Sequence, residues 1–197
     1  VADRDPPDLP ATVAGMVQAR LDALDSETRR VLRAGTVYGQ VFWAGGVSPL
    51  LGVGSESASV AARLKAAIAH EVVDRHTDAI FPGEVEYAFR HAIVRDTLYD
   101  TLTERDRTLA HRLAGTWLEE MGARDAAALA EHFERGSEPG HAMRWYLRAA
   151  EDALGGHDLE ACIAYADRGA ACGAAGETLG QLRLVQAEAH AWKGEPA

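Results

Sequence analysis

The chain has 197 residues, 47% of them apolar and 25% charged, proportions ordinary for a globular protein of one or two domains. Lys and Arg total 20 against 30 Asp and Glu, and the net charge of −10 argues against broad binding to nucleic acid or to anionic membranes. No apolar run reaches the length of a membrane span and no secretory leader opens the chain, so a cytoplasmic location is expected.

Residues 1–8, rich in Asp and Pro, read as a linker. Helical periodicity starts near Pro10, with Val13, Val17, Leu21 and Leu24 on one stripe. Ser26 is placed to cap a second helix through Val31, Leu32 and Ala34 that ends at Tyr38-Gly39. A short third helix through Val47, Leu50 and Leu51 stops at Gly52. Ser55 is placed to cap a fourth, whose face is Val60, Leu64, Ala67 and Ile68. From Val72 to Arg90 the chain reads as a β-hairpin turning at Pro82-Gly83, with Val85, Tyr87 and Phe89 alternating with polar neighbours. Val94, Leu98 and Leu102 then return to helical spacing. Three short helices followed by a hairpin make a winged-helix pattern. Helices near 91–102 and 104–121 complete it, the second opened by Thr103 and Asp106 in a capping-box spacing.

Beyond Gly122 the pattern is wholly helical. Apolar faces recur at Leu129 and Phe133, at Met143, Leu147, Ala150 and Leu154, and at Leu159, Ile163, Ala166 and Ala170. A last face carries Leu182, Val185, Ala189 and Trp192, with breaks at Gly136, Gly155-Gly156 and Gly173–Gly176. The phrases Ala142–Tyr146 and Ala161–Tyr165 echo each other, which suggests tetratricopeptide-like helical pairs. The expected fold is therefore mainly α: a winged-helix region over 9–121 with one small β-hairpin, then a helical-repeat solenoid over 122–197. The absence of an initiator Met and the abrupt end after Trp192 suggest a piece of a larger protein.

The search for chemistry gives little. No Gly-x-x-x-x-Gly-Lys-Ser/Thr loop is present, and Gly45-Gly46 and Gly52-Val53-Gly54 lack a strand before and a helix after. The eight histidines form no His-Glu-x-x-His pair, and Cys162 and Cys172 lack metal spacing. Ten positions apart on one helix, those cysteines lie about 15 Å from each other and read as reduced, small hydrophobes. His111, between Leu109 and Leu113, reads as a buried, hydrogen-bonded structural residue. No catalytic residue, metal site or bound cofactor is expected in this stretch, and it does not read as an enzyme.

Several phrases in fixed order carry a resemblance: Leu9–Val13, Gln18–Leu24, Arg30–Ala34, Val37–Trp43, Glu86–His91 and Ala110–Ala114. Together they resemble the large bacterial signalling ATPases of the STAND class, in which a nucleotide-binding domain precedes a winged helix and then helical repeats. Some are fused to serine/threonine kinases or nucleotide cyclases, and others are transcriptional regulators. The resemblance implies an NTPase domain upstream in the same chain, holding ADP or ATP with magnesium. It also implies an unknown protein or small-molecule inducer sensed by the repeats. In relatives such as plant resistance proteins, a winged-helix histidine touches the ADP β-phosphate and holds the closed state. The similar run here makes His91 and its neighbour Arg90 the candidate nucleotide sensors, although Ala92 stands where the Met-His-Asp motif has its aspartate.

Two other functions fit the pattern. Stacked repeats make a concave face for a partner, on which Trp145, Tyr146, Tyr165 and Trp192 are the candidate anchors. A winged helix can also read DNA, with the helix from Ser55 to His70 in the major groove. From Ser55 to His76, however, Arg63, Lys65 and Arg75 are matched by Glu56, Glu71 and Asp74, so there is no basic stripe.

Overall fold

A computed structural model describes residues 11–52 and 57–194. Those residues form ten helices and one three-stranded antiparallel sheet. They divide into two compact units, Val1–Thr103 and Glu104–Ala197. Among the described residues, no helix is long and apolar enough to cross a membrane. The expected linker over 1–8 and the Ser55 cap lie outside the described residues.

The first unit runs α1 (Ala11–Asp22), α2 (Ser26–Thr36), β1 (Val41–Trp43), α3 (Ala44–Leu51) and α4 (Ser57–Ala69), then β2 (Val73–His76), β3 (Glu86–Phe89) and α5 (Ala92–Asp100). The cap of α2 is Asp25, one residue before the expected Ser26. Its carboxylate accepts from the Thr28 N–H at 2.8 Å and from the Thr28 hydroxyl at 3.0 Å, satisfying an otherwise orphan helix donor. Strand β1 is an element the periodicity does not announce, because three residues are too few to show alternation. It pairs with β3, which also pairs with β2, giving the order β1-β3-β2. The hairpin turns where expected, with Gly83 at φ 82° and the Glu84 N–H donating to the Phe81 carbonyl at 3.2 Å. Phe42 lies against Tyr87 and Phe89, at ring separations of 5.7 and 5.1 Å, and joins Leu32, Val47, Leu64 and Val94 in one core.

Register explains a buried acid in this sheet. Trp43, Glu86 and His76 are cross-strand neighbours, and the Glu86 carboxylate accepts from Trp43 Nε1 at 3.1 Å and lies 3.2 Å from His76 Nδ1. The carboxylate is buried because its partners arrive with it on the adjacent strands.

The second unit holds α6 (Glu104–Glu120), α7 (Ala126–Arg135), α8 (Pro139–Gly155), α9 (Leu159–Ala171) and α10 (Gly176–Lys193). The composition break at Gly122 suggested a boundary there, but α6 groups with the later helices. Its buried face, His111, Ala114, Gly115, Trp117 and Leu118, meets α7 closely. A Cβ on Gly115 would sit 3.2 Å from His132 Cβ and 3.3 Å from the Phe133 ring. Gly169 allows a second close approach, since its Cβ would lie 3.0 Å from Leu182 and 3.1 Å from Tyr146 Cβ. Successive helices pack on one another along the chain, and α8 packs on α10 as well as on α9.

Candidate functional sites

The strand-to-helix junction after β3 carries the first candidate. His91 is the N-cap residue of α5, with extended backbone at φ −137° and ψ 126°, and its carbonyl accepts from the Val94 N–H at 3.1 Å. Its imidazole makes no capping hydrogen bond and is exposed. A helix N-terminus favours an anion, and the exposed ring stands beside that of α5.

Arg90 is placed differently from the expectation. Its Nε and one terminal nitrogen hold Asp74 Oδ1 at 2.9 and 2.8 Å, and the other terminal nitrogen lies 3.7 Å from Glu71. The Asp74 hydrogen bond raises the Arg90 pKa further above its ordinary value. Glu71 also takes Arg20 at 3.3 Å, so two arginines converge on it. That convergence steadies an unusual backbone: Glu71 closes α4 at φ 55°, and the Val72 N–H reaches back to the Ala67 carbonyl at 3.0 Å. Arg90 is thus engaged with carboxylates through Nε and one terminal nitrogen.

The four aromatics of the repeats have four different situations. Tyr146 is fully buried, so it is no anchor for a partner. Its hydroxyl donates to Glu134 Oε2 at 2.7 Å, and the Arg168 guanidinium sits 4.7 Å from its ring centroid. Arg168 also holds Glu131 at 2.8 Å and Glu134 at 2.5 Å. Burial works against that guanidinium's charge, but the two carboxylate hydrogen bonds outweigh it. Burial, then the bond to Glu134, pushes the Tyr146 pKa well up. Trp145 is half-buried, with Nε1 donating to Glu119 at 3.3 Å. Trp192 is exposed, its ring 5.1 Å from that of His157. Tyr165 is half-buried, stacked 6.3 Å from Tyr146.

His111 is buried, as expected, and its hydrogen-bond partner is another histidine. Its Nδ1 lies 3.1 Å from that of His132, so one ring donates and the other accepts. Burial, then the positive neighbours, lowers their pKa values to about 3 and about 4.

A cleft of about 310 Å³ opens to solvent across α7, α8 and α9. Its floor is alanine, at Ala126, Ala149 and Ala153. Around this floor stand Arg124, Asp125, Asp152, Asp158 and Tyr165. Asp125 and Asp158 cap α7 and α9, accepting from the Ala128 and Ala161 N–H groups at 2.9 and 3.0 Å. The readable signal for this cleft is that these aspartate caps recur 33 residues apart, before α7 and α9. Periodicity of apolar faces passes over it, because caps and alanines carry no hydrophobic stripe. Among the described residues, no group of three or more His, Cys, Asp or Glu could hold a metal ion.

The chain matches no protein family, and comparison with curated proteins and with solved structures finds no match.

Proposed function

We propose that this chain is a non-catalytic regulatory module of a signalling ATPase of the STAND type. A winged helix reads the nucleotide held by an upstream NTPase domain, and tetratricopeptide-like repeats downstream sense an inducer or partner. The observation that carries the reading is His91, exposed at the N-cap of α5 and unused by the cap. In the winged-helix reading, α2, α3 and α4 are the three helices, and the β2–β3 hairpin is the wing. The sheet order β1-β3-β2 supports it. The repeat reading is supported by α6, α8 and α10 starting at Glu104, Pro139 and Gly176, spacings of 35 and 37 residues. The α8–α10 packing also suits stacked pairs, in which first helices touch across the repeat.

In this reading ADP bridges the NTPase domain and His91, and exchange for ATP releases the winged helix as a shift of populations. The test is ADP retention by the complete signalling protein, wild type against His91→Ala. The variant is expected to release ADP at least tenfold faster. Equal retention by the two proteins sinks the nucleotide-sensing role.

The cleft of the second unit favours a further reading, that the repeats serve as a protein-interaction scaffold. The two readings are compatible, since a sensing module needs a surface that meets its inducer.

A further inference from the structure

We propose that Glu71 is a catch that ties α1 to the strand-to-helix junction presenting His91. While Arg20 of α1 and Arg90 of the junction both hold it, the two elements move together, and withdrawal of Arg20 loosens the cap of α5. The inference deepens the nucleotide-sensing reading and rests on it for its use: α1 is the helix nearest in sequence to the upstream NTPase domain of that reading.

The backbone at Glu71 is the first ground. Its N–H donates to the Ile68 carbonyl at 2.9 Å and the Val72 N–H to the Ala67 carbonyl at 3.0 Å, with Glu71 in the left-handed region at φ 55°. This pair of bonds closes a helix around a residue that is ordinarily glycine, because a Cβ is crowded there. Helix α6 ends in the ordinary way. Gly122 stands at φ 72°, and the Gly122 and Ala123 N–H groups donate to the Glu119 and Leu118 carbonyls at 3.0 and 2.9 Å. A glutamate in a glycine position implies a side chain kept for its contacts. Among the described residues, Ser137 and His157 also stand at positive φ, but neither carries an ion pair.

The contacts are the second ground. Arg20 reaches Glu71 twice, at the carboxylate at 3.3 Å and at the carbonyl at 3.4 Å. The other carboxylate oxygen faces Arg90 at 3.7 Å. Arg90 is fixed in turn by Asp74 and by its own N–H, which donates to the Val72 carbonyl at 3.1 Å. His91 follows directly, and its carbonyl begins α5 by accepting from the Val94 N–H. Val17 and Leu21 seat α1 on the apolar core, whereas Arg20 is the residue of α1 that meets Glu71. An isolated exposed ion pair contributes little. Here two arginines from distant parts of the chain share one carboxylate, on a backbone whose conformation their grip helps to hold.

The experiment follows amide hydrogen exchange of the full chain by NMR at neutral pH, without nucleotide. It reads the Arg90 and Val94 amides against those of Leu32 and Leu64 in the core. Arg20→Gln, which alters neither reporting residue, is expected to speed exchange at Arg90 and Val94 roughly threefold or more, while Leu32 and Leu64 keep wild-type rates. Arg63→Gln removes an ion pair of equal length, 3.3 Å to Asp25, and should leave the Arg90 and Val94 amides unaltered. Glu71→Gly separates a catch from a mere helix cap. Glycine suits φ 55° better, so a capping role alone predicts slower exchange at Arg90, whereas loss of the catch predicts faster exchange despite the easier backbone. Arg20→Gln added to Glu71→Gly should lose most of its own effect, since that effect passes through the missing carboxylate. The proposal is overturned if Arg20→Gln moves the two amides no more than Arg63→Gln does, if Glu71→Gly slows them, or if the two substitutions act independently. None of these measurements involves ADP, so failure here is distinguishable from failure of the nucleotide-sensing role, which ADP retention decides.

Discussion

Two side-chain clusters show how this chain handles polar groups inside its helices. Tyr146, Glu134 and Arg168 satisfy one another at the junction of α7, α8 and α9. Removing only the hydroxyl, with Tyr146→Phe, leaves Glu134 its arginine and is expected to cost about 1–2 kcal/mol, read as a lower urea midpoint. The His111–His132 pair makes a pH-dependent contribution. Both histidines titrate far below their ordinary value of 6.5, reaching about 3 and about 4, so the folded state keeps them neutral. Between those values and 6.5 the unfolded chain binds more protons than the folded one. Stability is therefore full above about pH 6.5 and falls with acidification, by up to about 1.4 kcal/mol per pH unit for each histidine. Arg107 and Arg135 disfavour the charged forms further, while Glu131 opposes that effect at His132. Urea midpoints taken from pH 7.5 to 5 should fall, and His132→Gln should flatten the slope. A midpoint independent of pH across that range would remove the pair from the account.

At the scale of elements, the close approach of helices in the second unit depends on missing side chains. Gly169→Ala would press a Cβ against Leu182 and Tyr146, and overpacking of this kind costs about 1–3 kcal/mol. The helix-propensity gain of alanine, about 1 kcal/mol, offsets only part of that. Gly180 in α10 has nothing within 4 Å of its would-be Cβ, so Gly180→Ala should gain up to about 1 kcal/mol. Thermal melting of the two variants should therefore move in opposite directions. The same contrast shows what a reading of residues can reach. Helices α7 to α10 are legible from apolar faces, and the hairpin from alternation and Pro82-Gly83. Strand β1 is not legible, because its three residues are defined by a partner strand more than 40 positions later. The place of α6 is not legible either: its grouping follows from Gly115 against His132 and Phe133, a fit that no local pattern encodes. Of the candidate sites, His91 sits at the junction expected for it, whereas Arg90 and Tyr146 are engaged by carboxylates distant in sequence.

For the molecule as a whole, charge decides between the uses to which such a fold can be put. Affinity for duplex DNA comes largely from lysines and arginines that displace condensed counterions, and it falls steeply with salt. This chain has 20 such residues against 30 acids. In α4, the helix that a DNA-reading winged helix would insert in the groove, the basic residues are Arg63 and Lys65, and Arg63 lies 3.3 Å from Asp25. A recognition helix with one of its two cations already neutralised would approach phosphates against the field of the rest of the protein. The full chain should therefore show no shift of a labelled random-sequence duplex at 50 mM salt, where electrostatic attraction is strongest. Saturable binding that weakens on raising salt to 200 mM would reverse this, and would make DNA the partner that the hairpin and α4 serve. Absence of binding at both salts would place duplex DNA outside the partners of this chain, as the acidic balance of the molecule requires.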